Sequence, residues 1–215
     1  MPILTLETRG DENGRIAVGR LRAAVAYPVP DLESCMATAQ RLSALAVVLG
    51  GEPRIEEGDL SLALAAAELI DLIRARAVLL HGDRLLPAGR VGTGSPLLVE
   101  AASELVRDVP YETVVGWLWR RGSGLAGRYR GAVEDARHLH RQAAEAVRDW
   151  NDPVLAHLAA AAGMRPAPTD DTSADLDPDQ IAILGETHQA VTRLAAERQR
   201  RSIERGPSEG ILRGF

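Results

Sequence analysis

Trp117, Trp119, Arg120, Arg121, Arg128, Tyr129 and Arg130 fall within Tyr111–Trp150, a stretch that holds all three tryptophans of the chain and seven of its arginines. Aromatic rings stack on flat groups, and guanidinium groups make paired hydrogen bonds to carboxylates and phosphates. The chemistry on offer is therefore recognition of something acidic. From Thr113 to Val133 there are four arginines and no acidic residue, so these seven side chains are the expected contact with an acidic partner or with nucleic acid. The competing role is internal, with the arginines answering local carboxylates such as Glu134 and Asp135.

Other reactive residue types give no comparable pattern. Gly122–Gly127 reads GSGLAG, which matches the spacing GxGxxG. Dinucleotide sites need that motif directly after a strand, so that a helix N-terminus meets the pyrophosphate. Here the preceding VVGWLWRR has helical periodicity, and a hinge between two helices is the better use of three glycines. Glu134 and His138 are one helical turn apart, but His140 points elsewhere and no third metal ligand follows at a useful spacing. Cys35 is the only cysteine and sits on the apolar stripe of a helix, as a structural thiol does. His81 reads as a solvated loop residue and His157 as a packed or half-exposed one. No catalytic set, metal site or cofactor is expected.

AASELVRDVPYETVVGWLWRRG resembles the general form of a helix-turn-helix, with Thr113, Val114 and Trp117 near the second helix, which would make the chain a nucleic-acid-binding protein. Its turn is about two residues too long and contains Pro110. In the plainer alternative, Val114, Trp117 and Leu118 pack inward.

Composition narrows the classes further. The 215 residues carry a net charge of −5, which argues against a surface coated for nucleic acid. All 25 cationic side chains are arginine and are spread along the chain, as a coding bias would spread them. Aromatics are only 3%, so Leu, Ala, Val and Ile must fill the core, which suits packed helices better than sheets. A lone cysteine implies a reducing compartment. The N-terminus shows no secretory pattern, and no stretch reaches the ~18 apolar residues of a membrane span. The expectation is a cytoplasmic protein with no membrane partner.

The elements that must position the Arg/Trp segment follow from periodicity. Ile3–Thr8 and Arg15–Ala26, with Asn13-Gly14 between them, predict a β-hairpin. Asp31 caps a first helix ending at Gly50-Gly51, and Asp59 caps a second that runs to Leu79 and is apolar almost all round. VLLHGDRLLPAGRV either ends that helix and adds a short strand, the preferred reading, or turns a second hairpin. Ser95-Pro96 starts a third helix, ending near Asp108, and Pro110 a fourth, ending at Gly122. Ala132–Trp150 carries a clean apolar stripe, and Asp152-Pro153 restarts a short helix.

Residues 164–177 form a Pro/Asp-rich linker between a body, 1–163, and an arm, 178–215. Asp177 and Gln180 make a capping box for a helix running to about Glu204. Its narrow seam of Ile181, Leu184, Val191 and Leu194, with Ile211, Leu212 and Phe215 beyond, predicts contact with a second copy or another protein. The whole reads as a mainly α multi-helix bundle with a short N-terminal β-hairpin and a long C-terminal helix. Its expected role is a non-enzymatic, homo-oligomeric assembly or adaptor module. The alternatives are the nucleic-acid-binding protein above and an enzyme whose site is assembled from distant residues.

Overall fold

A helix without a polar face has to lie at the centre of its fold, and α2 (Glu57–Arg74) does: every residue from Leu60 to Leu72 is buried. The computed structural model describes residues 37–49, 55–89, 95–134, 152–168 and 175–205. The chain divides into two compact units, Met1–Pro30 and Asp31–Phe215, and the described residues all belong to the second. Around α2 stand α1 (Thr38–Leu49), a hairpin of β1 (Val78–His81) and β2 (Arg84–Pro87), α3 (Pro96–Ser103), α4 (Val114–Arg121), α5 (Leu125–Glu134), α6 (Pro153–Ala161) and α7 (Pro178–Arg205). α1, β1, α3, α4, α5, α6 and α7 all pack directly on α2, and Leu85 of β2 joins the same core. The protein is mainly α, with a two-stranded antiparallel hairpin and a long C-terminal helix. Ala63, Ala65, Ala66 and Ala67 on α2 are fully buried, and such short side chains let several helices approach one axis.

The hairpin predicted at 3–26, the helix start at Asp31, Cys35 and most of the Ala132–Trp150 stripe lie outside the described residues. The ambiguous segment after α2 resolves against the preferred reading. The helix stops at Arg74 rather than Leu79, and Arg76 turns the chain with φ 55. VLLH and RLLP then pair as a full hairpin with Leu79 opposite Leu86 and Leu80 opposite Leu85, turning at Gly82 with φ 61.

The hairpin in turn fixes the start of α4. Leu85 N–H donates to the Glu112 carbonyl at 2.9 Å, and Val114 N–H donates to the Asp83 carbonyl at 2.9 Å. Thr113 caps α4 by accepting from Gly116 N–H at 3.0 Å, so the helix begins four residues after Pro110. α3 is likewise shorter than predicted, ending at Ser103. Asp59 caps nothing; it lies in the first turn of α2, and its carboxylate takes Arg198 of α7 at 2.9 and 2.7 Å.

That contact belongs to the largest difference from expectation. α7 does not wait for an outside partner: it packs along α2, α4 and α6. Its buried row is Ile183, Thr187 and Ala190, with Leu184, Val191 and Leu194 packed against the same core. The sequence seam looked narrow because two of its innermost positions are a threonine and an alanine. The Thr187 hydroxyl satisfies itself by donating to the Ile183 carbonyl at 2.7 Å, so it can be buried at little cost. The start of α7 is as predicted, with Gln180 N–H donating to Asp177 Oδ1 at 2.9 Å and Asp177 N–H to Gln180 Oε1 at 3.2 Å.

Between α4 and α5 the glycines are used for close approach and for a turn. Gly124 has φ 69, which an L side chain rarely adopts. A Cβ on Gly122 would run into the Leu118 carbonyl oxygen and lie 3.3 Å from that of Ser61 on α2. Gly122→Ala should therefore destabilise the fold by about 1–3 kcal/mol, the cost of overpacking a tight contact. Chemical denaturation checks this; a variant as stable as the parent would show that α4 and α2 can separate freely here.

Candidate functional site

Three polar side chains interrupt the apolar surface of α2, and each receives the end of another helix. Ser61 Oγ accepts from Ala126 N–H at 3.1 Å, at the start of α5. Asp71 Oδ2 accepts from Ala39 N–H at 3.2 Å, at the start of α1. Glu68, fully buried, takes Arg121 from the end of α4: Nε donates to Oε2 at 2.7 Å and Nη2 to Oε1 at 3.0 Å. Tyr129 of α5 adds its hydroxyl to Glu68 Oε1 at 3.1 Å. A buried helix end needs its free N–H groups answered, and α2 answers two of them while also holding a guanidinium.

Arg121 has no unanswered face. Its Nη2 also donates to the Leu97 carbonyl at 3.1 Å, and Nη1 reaches Glu104 at 2.9 Å and Glu100 at 3.5 Å. Around it, Arg128 pairs with Glu100. Arg120 forks onto Glu112 at 2.8 and 2.7 Å, reaches Glu104 at 3.3 Å, and lies 5.3 Å from the centre of the Trp117 ring. The result is a network of three arginines, four glutamates and a tyrosine that ties α2, α3, α4 and α5 together.

The ionisation of these groups follows from their surroundings. Burial pushes the Glu68 carboxyl above its ordinary value, against the hydrogen bonds and charge of Arg121 and the Tyr129 hydroxyl. Burial opposes charge on Arg121 too, but its hydrogen bonds to and charge interaction with Glu68, with Glu104 and Glu100 behind, hold it charged and raise its pKa. Burial, with the Glu68 carboxylate beside it, raises the Tyr129 phenol, which stays a donor. The Arg128 guanidinium holds Glu100 below its usual range. At the centre of this network every N–H of Arg121 is engaged, and the arrangement ties four helices together.

Asp71 gives a testable pH dependence. Burial raises its carboxyl above the ordinary aspartate value, opposed by donors on Thr38 and Ala39. A raised carboxyl contributes stability that is full below the unfolded pKa and is lost as pH rises through the folded pKa. Asp71→Asn keeps an acceptor without the charge. The variant should thus gain in Tm relative to the parent as pH rises above the ordinary aspartate value of about 4; a difference that stays constant as pH rises from there would mean the carboxylate is not the strained group.

The seven aromatic and arginine residues expected to face a partner are divided by the fold. Trp117, Arg121 and Tyr129 are interior, as are Val114 and Leu118. Trp117 donates its indole Nε1–H to the Ala65 carbonyl on α2 at 2.9 Å. Trp119 is 40% exposed, Arg130 is exposed, and Arg120 and Arg128 reach the surface while holding their glutamates. Among the described residues the partners of Arg120, Arg121 and Arg128 are Glu68, Glu100, Glu104 and Glu112; Asp135 and the side chain of Glu134 lie outside them. One of these partners had a sequence signal: Glu68 stands among apolar residues in the middle of α2, where a carboxylate needs a cation or hydrogen-bond donors to be buried.

Of the residues expected at an oligomer contact, Ile181 is 52% exposed and Leu184, Val191 and Leu194 pack against the core of their own chain; Ile211, Leu212 and Phe215 lie outside the described residues. GSGLAG follows a helix and not a strand. His138 and His140 lie outside the described residues, among which no group of three or more His, Cys, Asp or Glu could hold a metal. A concavity of about 400 Å³ opens between α6 and α7 and is mainly apolar, with Leu176, Ile181 and Leu184 on its walls and His157 and His188 beside them. Burial and nearby Arg165 lower the His157 pKa.

Residues 45–148 match the family described as Golgi phosphoprotein 3 (GPP34). The matched span contains every member of the Arg–Glu–Tyr network, and it stops short of α6 and α7. No curated protein and no solved structure matches the chain. The similarity corrects one expectation outright: a family of Golgi phosphoproteins is at odds with a plainly cytoplasmic protein. It lends no support to nucleic-acid binding or to self-assembly. Among the described residues, no helix is long and apolar enough to cross a membrane.

Proposed function

We propose that this chain is a non-enzymatic adaptor of the Golgi phosphoprotein 3 kind, which engages protein partners through the surface of α4 and α5. The observation that carries the proposal is the family similarity over 45–148, a span whose polar centre is saturated within the chain. On α4 and α5 that span leaves to solvent a half-exposed Trp119, and Arg120, Arg128 and Arg130 also reach the surface of these two helices. Tryptophan and arginine are the residue types that most often dominate protein contacts. An acidic protein surface fits them, since Arg120 and Arg128 reach the surface while holding their glutamates and Arg130 is exposed, and a guanidinium has donors for more than one acceptor.

The test places a photo-crosslinking amino acid at position 119 in cells and, as a reference, at exposed Gln199 on α7. Discrete crosslinked proteins at 119, absent at 199 and lost when Arg128 and Arg130 are changed to Glu, are expected. Identical products from both positions would remove the surface from consideration. The Golgi similarity adds a second expectation: the chain sediments with membranes and leaves them in high salt, as a peripheral protein does. Recovery wholly in the soluble fraction would count against that part.

A further inference from the structure

The end of α7 carries an arrangement that neither the core nor the α4–α5 surface uses. Arg198, Arg200 and Arg201 precede Ser202, giving RQRRS near the end of the helix. The Arg200 and Arg201 side chains are 66% and 64% exposed, and both lean back on one carboxylate, Glu197, at 2.9 Å. Ser202 is exposed beside them. Arg198, one turn before Ser202, is different: it leaves the α7 surface to clasp Asp59 on α2 at 2.9 and 2.7 Å, with Glu56 3.8 Å away. One turn earlier still, Leu194 lies against Gly58, where an added Cβ would come within 2.7 Å of it. The Arg198–Asp59 clasp is therefore the last attachment of α7 to the body among the described residues.

We propose that Ser202 is a phosphorylation site for an arginine-directed serine kinase, and that its phosphate releases the end of α7 by competing with Asp59 for Arg198. Kinases select substrates by charge pattern, and three solvent-facing or surface arginines within four residues upstream are what an acidic substrate groove takes. In the reaction the Ser202 Oγ attacks the γ-phosphorus of a nucleoside triphosphate. An Oγ–P bond forms, the bond from that phosphorus to the β–γ bridging oxygen breaks, the kinase base takes the hydroxyl proton, and the diphosphate leaves.

The consequence follows from spacing. Residues i and i+4 are neighbours on a helix, so a phosphate on Ser202 lies one turn from the Arg198 guanidinium. It carries about −1.5 to −2 charges and three strong acceptor oxygens, against the single carboxylate of Asp59. It also places negative charge in the last turn, where the helix dipole disfavours it. Both effects act in the same direction, away from the clasp.

The experiment treats the full chain with the catalytic domain of an arginine-directed serine kinase and ATP, and maps the phosphate by peptide mass spectrometry. Ser202 is expected to be the principal site, lost in Ser202→Ala and slowed at least tenfold in Arg200→Gln/Arg201→Gln. Phosphate placed mainly elsewhere, or at a rate indifferent to those arginines, would overturn the site. Hydrogen exchange then reads the effect. Amides from Leu194 to Glu204 should exchange roughly two- to fivefold faster after modification, while those from Ile183 to Ala190 stay as they were. Asp59→Asn should show the fast exchange already and respond little to phosphate. Unchanged exchange in the modified parent would overturn the release.

Discussion

Arg121→Ala should be among the most damaging single changes in this protein, lowering stability by ~3–5 kcal/mol. The guanidinium is wholly buried, and its removal leaves Glu68 equally buried with only the Tyr129 hydroxyl for company. An ionised carboxylate cannot remain there without a cation, so it must either protonate or draw water into the core. For a chain of 215 residues that loss is a fall in Tm of roughly 6–20 °C. The decisive comparison is a variant that removes the whole network at this point, Arg121→Met with Glu68→Leu and Tyr129→Phe. Replacing a buried ion pair by apolar residues of similar volume is often neutral or stabilising, so this variant should recover most of the loss. If it is as unstable as Arg121→Ala alone, the damage comes from lost packing and the stranded carboxylate is not its cause.

Trp117→Ala should cost a similar ~3–5 kcal/mol, for a different reason. The ring is fully buried between α4 and α2, and truncation leaves a cavity that the short alanines of α2 cannot fill. Trp117→Phe keeps most of the ring and loses chiefly the hydrogen bond to the Ala65 carbonyl, for about 1 kcal/mol. Two residues on, Trp119→Ala should change stability by less than ~0.5 kcal/mol, as surface substitutions do. Thermal unfolding of the three variants checks the order Trp117→Ala, then Trp117→Phe, then Trp119→Ala. A large loss at Trp119 would mean that its exposed ring is structural, and would also weaken its assignment to a partner surface.

The contrast between these two tryptophans shows what could be read in advance. Helical periodicity identified α2 as central because a helix with no polar stripe has nowhere else to go, and it identified α4, α6 and α7 because caps and apolar spacing are local properties. Asp177, Gln180, Asp152-Pro153 and Gly122 each act within a few residues of their own position, and each appears in the structure where the sequence placed it. The inward packing of Val114, Trp117 and Leu118 was legible as the plainer of two readings for the same reason.

What the sequence could not decide was which charges belong to one another. Arg121 and Glu68 are 53 residues apart, and Arg198 and Asp59 139, so no local pattern distinguishes an arginine held inside from one offered to a partner. The same limit applied to α7. A seam containing Thr187 and Ala190 has too little apolar area to identify itself, and only the close alanine-rich surface of α2 makes those small residues interior. By itself the sequence determined most of the helices and the central position of one of them, because hydrophobic pattern and capping act at short range; it missed the β1–β2 hairpin as the first choice and the start of α5 at Leu125. The tertiary structure alone decided that Arg120, Arg121 and Arg128 fasten helices to one another, since a charge's role depends on whether its partner or water reaches it first, and that is settled by packing between distant parts of the chain.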